Sequence, residues 1–400
     1  MNAPSRSGDR PLLVHLTTTD ISLELLLGPQ LEAFIDAGYD VVGVSAPGEF
    51  VERIEARGVR HVPLRNATRA MAPHKDLFAI EELRRMFREL SPTIVHTHNP
   101  KPGLYGRLAA RAAGVPVVVN TVHGLYAMPE DDWKKRAVVY SLERVAATCS
   151  DAELVQNPED MVTLRRTLHE PASKLVLLGN GIDLGRFAAP AADDPIRAKI
   201  RAELGADDDT VVVGAVGRLV LEKGYVELFE AWNQIRSEYE NAMLVVVGPT
   251  DGDKSDSMPA DVVARAEASG VRFLGMRDDV HDLYRGMDLY VLASHREGFP
   301  RSAMEAAACS LPIIATNIRG CRQVVDDGVT GLLVDVRSAD GLATALGRLI
   351  GDDELRASMS SAAVDRARHH FDQQRCIDTT LQTYERLLTA RGIPVALRAR

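Results

Sequence analysis

The chain has 400 residues, more than one hydrophobic core normally serves, and its 47 Lys+Arg against 56 Asp+Glu give a net charge of −9. A composition of 46% apolar and 26% charged residues excludes a disordered chain, and the acidic balance argues against a nucleic-acid partner. The cysteines Cys149, Cys309, Cys321 and Cys376 form no CxxC pair or metal-ligand spacing, which fits free thiols in a reducing compartment.

The opening MNAPSRSGDRP has no apolar signal-peptide region, and no apolar run approaches the roughly 18 residues of a membrane span. A cytoplasmic protein, soluble or peripheral on the inner face of a membrane, is expected. Short β-branched runs then follow at Leu12–Leu16, Val41–Val44, Ile94–His96, Val115–Val119, Glu153–Gln156 and Leu175–Leu178, with amphipathic helical patterns between most of them. This alternation predicts a parallel α/β sheet. It restarts at Val211–Val216, Met243–Val247, Val271–Leu274, Leu289–Leu292, Ile313–Ala315 and Gly331–Val334, so a second sheet of the same kind is expected. Between the two sets, Gly179-Asn180-Gly181-Ile182-Asp183 and the Ala- and Pro-rich Phe187–Pro195 have the chemistry of a hinge and linker. The boundary is expected near residue 188, giving domains over 1–188 and 189–371.

Ligands of open parallel sheets bind at the C-terminal strand ends, where helix N-termini point outward. Several loops there carry candidate chemistry. His96-Thr97-His98-Asn99-Pro100-Lys101 follows a strand, and alternation puts both histidines on one face. No carboxylate or cysteine stands nearby in sequence to complete a metal site, so a strand-end role in an acceptor cleft is the preferred reading of His98, Asn99 and Lys101. Residues 51–111 hold 12 Lys+Arg against 6 Asp+Glu, which suits either an anionic lipid surface or ordinary solvated helix faces. Lys134-Lys135-Arg136 is a second basic cluster.

In the second half, Val211–Val216 runs into Gly217-Arg218-Leu219-Val220-Leu221-Glu222-Lys223-Gly224, which would set two cations where a helix is about to start. Such a pair can hold a diphosphate in place of a divalent metal. Glu297-Gly298-Phe299-Pro300-Arg301-Ser302-Ala303-Met304-Glu305 follows Leu289–Leu292 and opens an apolar helix, with one carboxylate before the helix and one inside it. Both can accept hydrogen bonds from sugar or ribose hydroxyls. Asp251-Gly252-Asp253 has the look of a metal–diphosphate motif but lies in a Gly/Asp/Ser-rich stretch that reads as a surface turn.

Together with Gly275-Met276-Arg277-Asp278-Asp279-Val280 and Asp288 before a strand, these elements make the chain resemble the family-4 retaining glycosyltransferases of the GT-B fold. The resemblance covers nearly the whole chain. It implies an α/β GT-B architecture, two Rossmann-like parallel-sheet domains facing a central cleft, with a terminal helix from about 372 returning to the first domain. It implies Arg218 and Lys223 on the donor diphosphate, Glu305 on the ribose and Glu297 on the donor sugar. Met276 and Arg277 would frame the nucleobase, and backbone at Gly298, Phe299 and Arg301 would approach the sugar. Pro300 stands where many relatives have glycine and removes one N–H donor.

In the first domain, His123 in Asn120-Thr121-Val122-His123-Gly124 matches the position of a histidine that reaches the donor sugar, and so joins Glu297, Arg218 and Lys223 as a catalytic candidate. The first strand ends in Thr17-Thr18-Thr19-Asp20, where relatives carry glycines, and Asp20 is an acceptor-side candidate. The implied activity is retaining, metal-independent transfer from a nucleotide sugar, most simply a UDP-sugar, to a glycan or lipid-linked saccharide hydroxyl, with no cofactor. An epimerase of the same fold and a non-catalytic nucleotide-sugar sensor are the alternatives. A Rossmann oxidoreductase lacks support, because no GxGxxG follows the first strand.

Overall fold

The computed structural model describes residues 10–66, 73–98, 101–127, 131–191, 193–250 and 256–395. It divides into two compact units, Met1–Gly179 with Arg375–Arg400, and Asn180–Gln374. The division falls before Asn180 rather than near residue 188. The reason is local: Ile182 pairs with Asp372 and is buried in the second unit's core, and the Asn180 amide donates to the Phe299 carbonyl at 3.1 Å.

The first unit runs β1 (Leu12–Thr19), α1 (Gly28–Asp36), β2 (Asp40–Ala46), α2 (Val51–Ala56), β3 (Arg60–Pro63), α3 (Pro73–Leu90), β4 (Ile94–His98), α4 (Lys101–Ala113), β5 (Val117–Val122), α5 (Trp133–Ala147), β6 (Ala152–Val155), α6 (Pro158–Arg166) and β7 (Leu175–Leu177). Its seven strands are parallel in the order β3-β2-β1-β4-β5-β6-β7. The edge strand β3 was not among the expected ones: it is short, partly exposed and closed by Pro63, so it carries none of the buried β-branched signal. Strand β5 begins after Pro116 and extends to Val122, so His123 is the first residue beyond the strand.

The second unit contains α7 (Pro195–Leu204), β8 (Val211–Val216), α8 (Tyr225–Ile235), β9 (Ala242–Val247), α9 (Ala260–Ala268), β10 (Arg272–Phe273), α10 (Val280–Gly286), β11 (Leu289–Leu292), α11 (Arg301–Ala308), β12 (Ile313–Thr316), α12 (Cys321–Val324), β13 (Gly331–Val334), α13 (Ala339–Ile350) and α14 (Asp353–His370). Its parallel sheet has the order β10-β9-β8-β11-β12-β13. In both sheets the strand order reverses beside the first strand of the unit, and ligand crevices of open α/β sheets form at such a switch point.

Helix α15 (Gln373–Thr389) places most of its length in the first unit, where Tyr384 is fully buried among Phe34 and Tyr39, with ring centroids 5.7 and 5.8 Å away. Both faces of each sheet are covered by helices, so strands such as β4 and β5 are buried at every residue. Each fully buried Val or Leu contributes about 1.5–3 kcal/mol against exposure.

Candidate functional site

Strand β8 ends at Val216, and Gly217 opens the loop that follows. The Tyr225 hydroxyl donates to the Gly217 carbonyl at 3.0 Å, tying the start of α8 to the strand end. Gly224 closes the loop with φ +69°, and a Cβ there would stand 2.0 Å from the Ala293 carbonyl oxygen. Glycine is required for this approach. The loop so shaped carries Arg218, which is exposed, and Lys223, whose ammonium lies 2.6 Å from Glu297 Oε1.

Glu297 is built into the loop after β11. The Ser294 hydroxyl donates to the same Oε1 at 2.8 Å, and Gly320 passes so close that a Cβ would meet the Glu297 carbonyl oxygen at 2.6 Å. Pro300 precedes the first turn of α11, which starts at Arg301. The proline therefore removes a donor just outside the helix and leaves the first-turn N–H groups in place. Gly298 and Phe299 are half-buried beside it, and the Phe299 carbonyl is held by Asn180.

Glu305 lies inside α11. Burial pushes its carboxyl above the ordinary range, and the charges of Arg301 and Arg186 and a hydrogen bond from Tyr284 pull it part of the way back. The Tyr284 hydroxyl is 3.3 Å from Glu305 Oε2, and Arg301 Nε is 3.9 Å from Oε1. A desolvated acceptor with a fixed orientation gains more from a pair of incoming hydroxyl donors than one in water. Tyr290 braces the same helix, its hydroxyl donating to Ser302 Oγ at 2.8 Å.

The Met276 loop is shaped by Gly275 at φ +64° and by Gly248, whose N–H donates to the Gly275 carbonyl at 2.8 Å. Met276 is exposed. Arg277 is bound to both oxygens of Asp279, at 2.8 and 2.7 Å, and to Glu203 at 2.6 Å. Its guanidinium thus anchors the loop. Asp288 holds Arg197 and Arg201 at 2.7 and 2.9 Å and caps the Val212 N–H, which fixes the N-terminal end of β8.

In the first unit the structure places the candidates differently from one another. His123 is half-buried just beyond β5, and its Nε2 is 2.9 Å from His98 Nδ1. His98 is inside β4 and buried, so it belongs to the sheet interior and not to an open acceptor loop. Asp20 is also buried, its two oxygens accepting from the Ile21 and Phe50 N–H groups at 2.9 and 2.8 Å; it ties the loop after β1 to the loop after β2. Lys101 opens α4 with its ammonium 5.7 Å from the Tyr105 ring, and it lines a small pocket with Thr17, Thr18, Asn66 and Tyr105. Asn99 and the Asp251–Asp253 motif lie outside the described residues.

His15, His96 and His98 bring ring nitrogens within 4.8 Å of one another, a grouping that sequence spacing alone does not reveal. The ring geometry serves hydrogen bonds rather than a shared ion. His15 Nδ1 and His98 Nε2 point at each other across 3.0 Å, and both His96 nitrogens are taken, by Tyr384 and by Thr121 at 2.7 Å. Ligation needs lone pairs that converge on a third point.

Residues 196–366 match the family model described as glycosyl transferases group 1, and residues 30–186 match that of glycosyltransferase family 4. The chain is 30% identical over 314 residues to UDP-Gal:alpha-D-GlcNAc-diphosphoundecaprenol alpha-1,3-galactosyltransferase of Escherichia coli, covering 78% of this chain and 79% of that one. The chain is a family-4 glycosyltransferase. It is also 27% identical over 374 residues to the capsular polysaccharide biosynthesis glycosyltransferase CapM of Staphylococcus aureus, covering 90% and 93% of the two chains. The GT-B fold is shared with Anabaena HepE in complex with UDP and glucose, at TM-score 0.76 and 21% identity over 93% of this chain and 99% of that one.

In this glycosyltransferase five of the twelve basic residues of 51–111 are held in ion pairs among the described residues. Arg107 is fully buried between Glu143 and Glu153 at 2.7 and 2.8 Å, Arg84 and Arg85 bind Glu81, Arg57 binds Glu24 and Glu32, and Arg111 binds Asp151. Counting charges along the sequence could not separate these from free cations. Among the described residues no helix is long and apolar enough to cross a membrane. Sequence reading missed Ser294, Gly320 and His15. A small residue three before Glu297 was the only signal for Ser294, and Gly320 and His15 are brought in by strand pairing across long separations.

Proposed function

We propose that the protein transfers a sugar from a UDP-sugar, with retention and without a metal ion, to a hydroxyl of a lipid-diphosphate-linked saccharide. The observation that carries the reading is the placement of Lys223, Glu297 and Glu305 around the first turn of α11. Arg218 and Lys223 supply two positive charges for the diphosphate, and Glu305 accepts from the ribose hydroxyls. Glu297, with Oε1 committed to Lys223 and Ser294, offers Oε2 to a hydroxyl of the donor sugar. The galactosyltransferase relative is named for a UDP-sugar donor and a diphosphoundecaprenol-linked acceptor, which supports the same two classes here.

In the reaction the bond from the anomeric carbon to the diphosphate breaks, with its electron pair leaving on phosphate. The acceptor oxygen bonds to the same face of that carbon, and its proton passes to the departing phosphate oxygen. Charge that develops on the diphosphate meets cations already in place, so no reorganisation is needed as the bond breaks. His123 contributes a contact to a sugar hydroxyl.

A lipid-linked acceptor calls for a membrane-facing surface, and α5 has the composition for one. Val138, Leu142 and Val145 expose an apolar stripe at helical spacing, Trp133 is 65% exposed at its start, and Lys134, Lys135, Arg136 and Arg144 lie along it. Two measurements test the reading. Incubation with UDP-sugars and a lipid-diphosphate-linked saccharide in EDTA should give product with the donor's anomeric configuration. Loss of turnover in EDTA with recovery on adding manganese, or an inverted product, would overturn it. Sedimentation should take the protein down with vesicles containing anionic lipid and not with neutral ones.

A further inference from the structure

His15 of β1 is in register with His96 of β4, and residues two apart on a strand share a face, so His15, His96 and His98 stand together under α1 and α15. Two contacts link three of the four histidine rings here, those of His15, His98 and His123, into a file. His15 Nδ1 is 3.0 Å from His98 Nε2, and His98 Nδ1 is 2.9 Å from His123 Nε2. The ring centroids are 5.3 and 5.2 Å apart with planes inclined by 23° and 30°, so the rings meet edge to edge with an N–H facing a lone pair. His96 lies outside the file, packed over the face of His98 at 4.6 Å.

Burial keeps the inner rings neutral: the His15 imidazole is pushed down to about 3, and that of His98 well below its ordinary value. A neutral imidazole has one N–H and one lone pair, so the file has only two polarities. In the inward polarity each N–H points toward His15, and His15 Nε2 carries a buried N–H. That atom has no hydrogen-bond partner among the described residues. In the outward polarity His15 Nε2 holds only a lone pair, and His98 Nδ1–H donates to His123 Nε2. Orphaned buried N–H groups are rarer than under-satisfied acceptors, so the outward polarity wins.

We propose that His15 and His98 are positioning residues that hold His123 in its Nδ1–H tautomer, with Nδ1 as its hydrogen-bond donor. The expected effect on turnover rests on the sugar contact assigned to His123 above; the tautomer does not. Which nitrogen of a histidine carries the proton is set by the partner of the other nitrogen, and here that partner is fixed from the core.

The test uses the full-length, ¹⁵N-labelled protein and long-range ¹⁵N–¹H correlation of the imidazoles near pH 7.5, with His123 identified by its loss in His123→Asn. The expected wild-type pattern is protonated Nδ1 and unprotonated Nε2. His98→Leu should return His123 to the Nε2–H form and lower kcat by roughly tenfold or more, with UDP affinity unchanged. His98→Asn keeps an amide donor close to the former Nδ1 and should restore both the tautomer and kcat. An Nε2–H pattern in the wild-type protein overturns the proposal, as does a His98→Leu spectrum identical to it. If His98→Leu does not fold, the wild-type and His98→Asn spectra carry the test. An Nδ1–H tautomer in an enzyme whose turnover survives His123→Asn would uphold the tautomer lock and remove the sugar contact instead.

Discussion

The Lys223 ammonium lies 2.6 Å from Glu297 Oε1, so the cation assigned to the diphosphate is already positioned by the carboxylate assigned to the sugar. The two substitutions should therefore separate. Lys223→Ala removes a charge-assisted contact to phosphate and should weaken UDP binding by roughly ten- to a hundredfold, about 1.4–2.8 kcal/mol. Glu297→Gln leaves Lys223 unneutralised and should spare or tighten bare UDP while slowing sugar transfer. Titration calorimetry with UDP beside turnover measurements checks both. Equal loss of UDP affinity in the two variants would contradict the division of roles.

The loop that carries Lys223 depends on one backbone approach. Gly224→Ala would set a methyl 2.0 Å from the Ala293 carbonyl oxygen, a backbone atom that cannot swing aside, on top of the cost of φ +69° for an L residue. Gly270→Ala is the matched comparison, with φ +85° and nothing within 4 Å of the added carbon. The Gly270 variant should lose about 1–2 kcal/mol of stability and keep its UDP affinity. The Gly224 variant should lose more and bind UDP poorly. Equal effects would mean that the close approach is unimportant.

These contrasts show what the sequence made legible. The sheets were readable because buried parallel strands are continuous Val- and Ile-rich runs, as in Val211–Val216, and the placement of Glu297 and Glu305 before and inside α11 was readable because the E-x7-E element is contiguous along the chain. Contacts between residues far apart along the chain were not. His15 and His98 are 83 residues apart, and Arg107 meets Glu153 across 46, so neither pair leaves a local pattern. Asp20 and His98 looked like rim groups because both stand next to loops. Their burial depends on partners that the local sequence does not contain, Phe50 for the one and His15 for the other.

Glu305 gives a pH signature. Burial raises its folded-state pKa above the ordinary 4.5, so between 4.5 and that raised value the folded chain holds more protons than the unfolded one. Its contribution to stability therefore falls as pH rises through this window. Glu305→Gln removes the ionisation. The melting temperature of this variant relative to wild type should rise as pH increases from about 4.5 toward neutrality, while its UDP affinity falls. A difference in melting temperature that stays constant with pH would show that the carboxyl is not perturbed by its site.

The buried histidines give the opposite sign, and in the other unit. His15, His96 and His98 are fully buried and held below their ordinary value of 6.5 by desolvation, so the unfolded chain takes up protons that the folded chain refuses. Stability of the first unit is then lost as pH falls through 6.5, at up to ~1.4 kcal/mol per pH unit for each histidine. Amide hydrogen exchange resolves the two units: protection in β1 and β4, corrected for the intrinsic pH dependence of exchange, should drop between pH 7 and pH 5, while β8 and β11 change much less. His15→Phe keeps a ring against Phe34, now 5.3 Å from the imidazole, and removes one titrating group, so it should lower the slope by about one proton. Protection in β1 and β4 that does not vary over this range would mean that the three rings take up protons in the folded state as readily as in the unfolded one, and the outward-donating file could not be built from them.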